Sequence, residues 1–271
     1  MKFPIGFSIN SHEEPPTAPT LAEVCPAVPR KSVVHVHFPT RNMTLSYYND
    51  RFDLHRGDFV FVEGKLEGLL GRVVDVNYSF KIKLSDYKRV VAVADTRVSG
   101  EFFFAATHFV TFEKAALPFE KVITWFKAPA NPEDEYVTGE SGKSFALDLL
   151  EEMGVSRSVA DRGGEYYRDN KVIYISAAAS GRGYAIVESS KPYVVEFRCE
   201  NGIISDLTCP CFCAYPCKHG FAAMLQLKDT LEYIAKHYAA EYKRSGYFAA
   251  MCKEAFMYFT VDSKISGSFI L

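Results

Sequence analysis

The sequence lacks a hydrophobic run that could cross a membrane as a helix, because no stretch approaches the roughly 18–20 uninterrupted apolar residues required. Its first residues lack the apolar run followed by small side chains that marks a secretory signal, so we expect a cytoplasmic protein. A strong charge of one sign is also missing, since 31 Lys and Arg face 33 Asp and Glu and the formal net charge is −2. This balance excludes a highly basic nucleic-acid coat protein.

The motifs of several enzyme classes are missing as well. We find no phosphate-binding loop, no dinucleotide-binding fingerprint and no nucleophile elbow. Gly181-Arg182-Gly183 is typical of a hairpin tip, and the paired carboxylates of Glu151 and Glu152 fall on the surface of a predicted helix. We therefore expect a non-enzymatic protein. An enzyme whose catalytic residues are assembled only by the fold is the least supported alternative.

The sequence does have enough apolar material for a core, with 48% hydrophobic residues, 22 Phe and 16 Tyr among 271 residues. The composition changes along the chain and predicts an α+β protein of two domains. The predicted parts are a disordered tail (1–30), a small all-β, barrel-like domain (31–127), a polar linker (128–142) and an α+β domain (143–271).

Alternating apolar residues and turn residues predict the secondary structure. The strands predicted in the first half are Ser32–Phe38, Met43–Tyr48, Asp58–Val62, Leu69–Val76, Phe80–Leu84, Arg89–Val93, Glu101–Ala105 and His108–Phe112, followed by a short helix at Pro118–Phe126. The helices predicted in the second half are Ser144–Met153, Ser156–Asn170, His219–Tyr238 and Ser245–Phe259. The strands predicted there are Lys171–Ser176, Gly183–Glu188, Tyr193–Cys199, Ile203–Thr208 and Ile265–Leu271.

Four of the seven cysteines fall within nine residues, at Cys209, Cys211, Cys213 and Cys217, and His219 follows at once. Thiolates and an imidazole are the ligands of a tetrahedral zinc site, and a closed set of four makes the metal structural rather than catalytic. We predict one Zn²⁺ held by Cys209, Cys211, Cys217 and His219. Cys213 is left out because a site that used both Cys211 and Cys213 would leave too short a spacer before Cys217. Cys213 stays a possible substitute.

Two alternatives to zinc are buried free cysteines and a redox-active Cys-x-Cys pair. With zinc, the site carries one net negative charge, which Lys218 and the start of the following helix would offset. In this interpretation the predicted hairpin and helix meet only through the ion. A chelator is then expected to melt the C-terminal domain and leave the cysteine-free residues 31–127 folded.

The pattern Cys-x-Cys, a short spacer and Cys-x-His resembles the SWIM-type zinc finger. The resemblance covers Arg162 to Leu231 and includes Arg162-Gly163, Tyr166-Tyr167, Val172, Tyr193–Phe197, Pro216–His219 and Ala222–Met224. Two departures are Phe212, where the family often has proline, and a short spacer between Cys211 and Cys217. The resemblance implies a β-β-α zinc element that binds DNA or other proteins, as in Swi/Snf-type ATPases, Mutator-like transposases and ubiquitin-ligase-like proteins. None of their catalytic domains is visible in this sequence.

The N-terminal half carries weaker signals for DNA-binding. Arg56–Glu63 and Gly71–Val74 resemble the small β domain at the front of the primosomal helicase, which binds DNA ends, although a generic barrel hairpin has the same pattern. A strip of interleaved aromatic and basic residues can stack bases and hold phosphates, or form a solvated strand face. We call this the basic strip; its members are Tyr78, Phe80, Lys81, Lys83, Tyr87, Lys88 and Arg89.

Together these features predict a nucleic-acid-binding accessory factor that binds DNA weakly and with little sequence preference. The alternative is a protein–protein interaction adaptor with a purely structural zinc site. His35, His37 and His108 are candidates for a second metal site, but surface positions on amphipathic strands explain them better. Cys199 and Cys252 are expected in the core.

Overall fold

The structure is a computed structural model. It describes residues 29–129, 137, 139, 142–178, 181–213 and 216–260, together with the backbone of 266–270. The predicted disordered tail and most of the predicted linker lie outside the described residues. The chain divides into two compact units, one formed by Pro4–Asp95 and one that begins at Thr96.

The N-terminal unit contains a five-stranded antiparallel sheet. Its strands are β1 (Ser32–Phe38), β2 (Met43–Asn49), β3 (Phe59–Val62), β4 (Gly71–Asn77) and β5 (Val90–Ala94), in the order β2-β1-β4-β3-β5. Along β1 the side chains of Val34, Val36 and Phe38 are buried and His35 between them is exposed, as the alternation predicts. They pack with apolar residues of the other strands in one core.

This sheet is not a closed barrel, which corrects the barrel-like prediction. Its edge strands β2 and β5 approach each other at an isolated bridge between Tyr48 and Arg89. The predicted strand Phe80–Leu84 is also wrong, because the connection from β4 to β5 is irregular and contains a 3₁₀ turn at Leu84–Asp86. Lys81, Lys83 and Leu84 are exposed there, so these residues do not gain the burial that stabilises a strand.

The second unit is a mixed α+β structure around a nine-stranded sheet. Its strands are β6 (Ser99–Ala105), β7 (His108–Thr111), β8 (Phe145–Ala146), β9 (Val172–Ala178), β10 (Arg182–Val187), β11 (Tyr193–Glu200), β12 (Ile203–Thr208), β13 (Tyr247–Cys252) and β14 (Ser266–Ile270). Its helices are α1 (Phe119–Val122), α2 (Arg157–Arg168), α3 (Lys218–His237), α4 (Ala239–Ser245) and α5 (Lys253–Thr260), with 3₁₀ turns at Ile123–Trp125 and Leu150–Met153. The strand order is β14-β6-β7-β13-β9-β10-β11-β12-β8, antiparallel except for the parallel pair β14–β6.

The boundary between the units lies at Asp95 and Thr96 rather than in the predicted linker 128–142. Strands β6 and β7, which the sequence pattern assigns to residues 31–127, belong to the larger sheet because β7 pairs with β13. This pairing joins residues more than 130 positions apart, so local composition carries no sign of it.

Two predicted helices are not helical over their whole length: the second half of Ser245–Phe259 is helix α5, and Ser144–Met153 contains no α-helix. The segment Tyr247–Cys252 is buried at all six positions and forms the interior strand β13 between β7 and β9, and α5 begins only at Lys253. A short continuous apolar run is typical both of a helix and of a strand that is buried on both faces. The pairing of this run with distant strands determines that it is a strand. The segment predicted as the helix Ser144–Met153 is instead the two-residue strand β8, a turn and a 3₁₀ helix, which together bury Phe145 and Met153.

Helix α2 lies close against α3 because it carries glycine at the contact. A Cβ added to Gly163 would be 2.8 Å from Cδ1 of Phe221 and 3.0 Å from the backbone oxygen of Lys218. A Cβ on the adjacent Gly164 would meet the Arg168 guanidinium at 3.2 Å, and that flexible end can move. Gly163 thus sets the distance between α2 and the first turn of α3.

We predict opposite effects for the two Gly→Ala substitutions. Gly163→Ala should lower the free energy of unfolding by about 1–3 kcal/mol, because overpacking forces the helices apart. Gly164→Ala should be neutral or raise it by up to about 1 kcal/mol, because alanine has the higher helix propensity. Urea unfolding of both variants and the unchanged protein is the measurement, and equal effects at the two positions would contradict the close contact.

Candidate metal centre

A hairpin and a helix deliver the cysteine and histidine side chains to one place. Strands β11 and β12 are joined by a tight turn at Asn201-Gly202, where both residues have positive φ. A register shift between Glu196 and Arg198 marks a bulge in this hairpin, and β12 leads directly to Cys209. Helix α3 begins one residue after Cys217, whose sulfur caps the helix by accepting a hydrogen bond from the Gly220 backbone N–H at 3.4 Å.

The four predicted ligands meet here. One ligand atom from each of Cys209, Cys211, Cys217 and His219 lies within 4.8 Å of the others. The Cys209 sulfur is 3.8 Å from Nδ1 of His219. With Zn–S bonds of about 2.3 Å, ligand atoms of a tetrahedral site are separated by about 3.8 Å, so the group has a size that fits one ion.

Cys213 does not join this group. Its side chain is exposed, and it is the cysteine that the spacing argument leaves out. Cys252 is buried as expected, although on β13 rather than on a helix, and Cys199 is half-buried against the main core. The structure therefore separates the four clustered ligands from the remaining described cysteines.

The proton equilibria of the thiols reflect their crowding. A hydrogen bond from Cys209, aided by His219 and the Gly220 amide, lowers the pKa of Cys217 to about 4. The same bond to Cys217, together with burial, raises the pKa of Cys209 far above its ordinary value, and burial raises the pKa of Cys211. Without a cation only one thiolate is readily accommodated, whereas a divalent ion that binds thiolates would displace the remaining protons.

The His219 ring is held by aromatic packing. Tyr193, the first residue of β11, stacks on it with ring centroids 4.5 Å apart, and Tyr166 of α2 contacts it edge-on at 5.6 Å. Nδ1 faces the thiols, while Nε2 is buried and has no hydrogen-bond partner among the described residues. Two tyrosine rings therefore orient the imidazole where many metal sites use a hydrogen-bonded carboxylate or carbonyl.

Lys218 is adjacent to the site and engages Tyr166. Its ammonium donates to the Tyr166 hydroxyl at 2.7 Å, and that hydroxyl is 2.9 Å from the Ser189 hydroxyl oxygen. The hydrogen bond from Lys218 lowers the pKa of Tyr166. This connection links α3, α2 and the loop before β11 around the metal ligands, an arrangement that residue spacing alone did not reveal.

Helix α3 does not depend on the metal alone for its position, which corrects the expectation that hairpin and helix meet only through an ion. Ala222, Ala223, Met224 and Leu227 are wholly buried in a core that includes residues of β9 to β12. Burying each of the larger side chains contributes about 1.5–3 kcal/mol to the free energy of unfolding. The hydrophobic core therefore anchors the helix, and Cys217 caps its first turn.

The histidines considered for a second metal site belong to different units. His35 and His37 lie on β1 of the N-terminal unit, with His35 exposed. His108 belongs to the other unit, is buried, and places Nε2 3.0 Å from the Val172 carbonyl oxygen. Burial lowers the pKa of His108, which fits a neutral core side chain.

The basic strip lies entirely on the irregular connection between β4 and β5. Its Lys81, Lys83 and Lys88 side chains are exposed. Arg89, however, pairs with the Asp50 carboxylate, and its guanidinium carbon is 5.2 Å from the centroid of the Tyr48 ring. Phe80 is half-buried and packs edge-on against the same ring. The lysines are therefore available to a ligand, and Arg89 is engaged within the unit.

Comparisons with protein-family models, curated proteins and solved structures return no match for this chain. Among the helices that the structure describes, none has both the length and the apolar character needed to span a bilayer.

Substitution of single ligands should separate the metal set from the exposed cysteine. We predict that Cys211→Ala and His219→Ala each lose bound metal, because each removes one of four converging ligand atoms. Cys213→Ala should retain it, because that thiol is exposed and outside the group. Elemental analysis of the purified proteins is the measurement. Full metal content in both ligand variants, or its loss in Cys213→Ala alone, would contradict the assignment.

Chelation should loosen the site locally. We expect faster amide exchange at 209–213 and in the first turn of α3, since those segments lose their shared anchor. Leu227 and Ile234 should keep their protection, because both are buried in the apolar core. The N-terminal unit, where the described residues contain no cysteine, serves as an internal control. Equal loss of protection along all of α3 would show that the core does not hold the helix by itself.

Proposed function

We propose that this chain binds one structural zinc ion through Cys209, Cys211, Cys217 and His219 and acts as a non-enzymatic, nucleic-acid-binding accessory factor. The observation that carries the zinc proposal is the convergence of three thiols and one imidazole within 4.8 Å. Three sulfur ligands favour a thiophilic ion, and a set of four protein ligands leaves no open position for a reacting water. The ion would then hold the end of β12 against the start of α3.

The proposed ligands require reducing conditions. Cysteines that bind zinc must be thiolates, and oxidation to disulfides would destroy the site. A cytoplasmic location, where thiols are kept reduced, agrees with this requirement. Cys199 and Cys252 are free in the structure, in keeping with the same environment.

Nucleic-acid binding is proposed from the SWIM-like pattern and from exposed cations beside aromatic rings. In the N-terminal unit these cations are Lys81, Lys83 and Lys88, on the same connection as Tyr78, whose partly exposed ring is 4.3 Å from the guanidinium carbon of Arg30. Few phosphates would be neutralised and no groove-reading helix is involved, so binding is expected to be weak and tolerant of sequence. A protein–protein adaptor remains the alternative function.

We predict that the protein binds oligonucleotides at low salt and that binding weakens as salt rises. Changing Lys81, Lys83 and Lys88 together to Gln should lower the slope of log affinity against log salt by about 2–3, as expected for losing up to three phosphate contacts. Fluorescence anisotropy with single-stranded and duplex oligonucleotides at several salt concentrations is the measurement.

The matched control changes three exposed cations of the other unit, Lys236, Lys243 and Arg244, to Gln. It removes the same charge, so a general electrostatic effect would weaken both triple variants equally. No binding of the unchanged protein to any oligonucleotide at low salt would overturn the nucleic-acid proposal and favour the adaptor. Zinc content is measured in the same samples, because the zinc proposal can hold in either case.

A further inference from the structure

One large aromatic side chain projects almost entirely into solvent beside the metal ligands. Phe212 lies between Cys211 and Cys213 and is 98% exposed. Its backbone follows directly from a predicted metal ligand, so the loop that presents the ring is tethered at the site. The exposed ring contributes little to the core of its own chain and is accessible to a ligand.

A cation and a second ring lie beside Phe212. The Lys191 ammonium is 5.9 Å from the centroid of Phe212 and 5.5 Å from that of Tyr193. Tyr193 in turn stacks on His219, so a continuous series of aromatic and cationic groups runs from the metal ligand to the surface. Lys191 is exposed and has room to contact an anion while staying near the ring.

We propose that Phe212 stacks on an unpaired base of single-stranded nucleic acid and that Lys191 contacts the adjacent phosphate. This inference rests on the proposed nucleic-acid function and assigns a binding surface to the zinc element itself. An accessible ring face and a neighbouring ammonium match the two parts of a nucleotide. A protein-docking surface would instead surround the ring with other apolar side chains. Within 181–213, the other large hydrophobic side chain that is exposed is Ile203, at the opposite end of β12.

Two substitutions of Phe212 distinguish stacking from simple apolar contact. Phe212→Ala should weaken binding to a single-stranded oligonucleotide roughly 5- to 100-fold, the usual range for losing one stacked base. Phe212→Leu keeps an apolar side chain but removes the ring, so it should weaken binding to a similar extent. Ile203→Ala is the matched control, because it truncates an exposed apolar residue elsewhere on the same hairpin. All three variants should retain zinc and thermal stability, since these side chains contribute little to the core.

A tryptophan substitution reports on stacking directly. The chain has one tryptophan, Trp125, which is wholly buried, so its emission should not respond to a surface ligand. Phe212→Trp should bind at least as tightly as the unchanged protein, and its added emission should be quenched when a single-stranded DNA or RNA oligonucleotide is titrated in. Lys191→Gln should weaken binding and reduce the salt dependence, whereas Lys191→Arg should preserve both.

The outcomes separate this inference from the function on which it rests. If the unchanged protein binds no oligonucleotide, both are overturned. If it binds but Phe212→Ala and Phe212→Leu bind equally well, nucleic-acid binding stands and the stacking surface is wrong. Normal binding by Phe212→Leu alone would show an apolar contact without stacking. Equal Phe212-dependent binding to duplex and single strands would also overturn the inference, because paired bases are not free to stack on the ring.

Discussion

Three cysteine sulfurs and one imidazole nitrogen converge within 4.8 Å, where like charges on the sulfurs repel and a cation would stabilise them. The hydrogen bond between Cys209 and Cys217 raises the pKa of the first and lowers the pKa of the second, so one thiol keeps its proton while the other ionises. The constraint governs the surrounding architecture. The hairpin β11–β12, the cap of α3 and the rings of Tyr166 and Tyr193 all serve to bring these ligand atoms together.

Two different interactions hold α3. Its middle is fixed by burial in the apolar core of the larger sheet, and its first turn by Cys217, His219 and the close contact with α2 at Gly163. This division separates the buried middle of the helix from the loop that carries Phe212.

The sequence pattern predicted most elements of the fold, because alternation in β1 and the apolar face of α3 are local properties. It failed where a choice depended on distant partners. The apolar run Tyr247–Cys252 is compatible with a buried helix and with a buried strand. Only its pairing with β7 and β9 makes it a strand. The same non-local pairing places β6 and β7 in the larger sheet and moves the boundary between units to Asp95 and Thr96.

For the candidate site, the sequence alone determined which four residues converge. Ligand chemistry and the short reach of Cys-x-Cys and Cys-x-His are encoded within eleven consecutive positions, from Cys209 to His219. Tertiary structure decided what surrounds them. Tyr166 and Tyr193 reach His219 from distant elements, Asp50 engages Arg89 from the residue after β2, and Phe212 is left in solvent. Burial and partnership between remote segments are properties of the folded chain, so spacing along the sequence could not specify them.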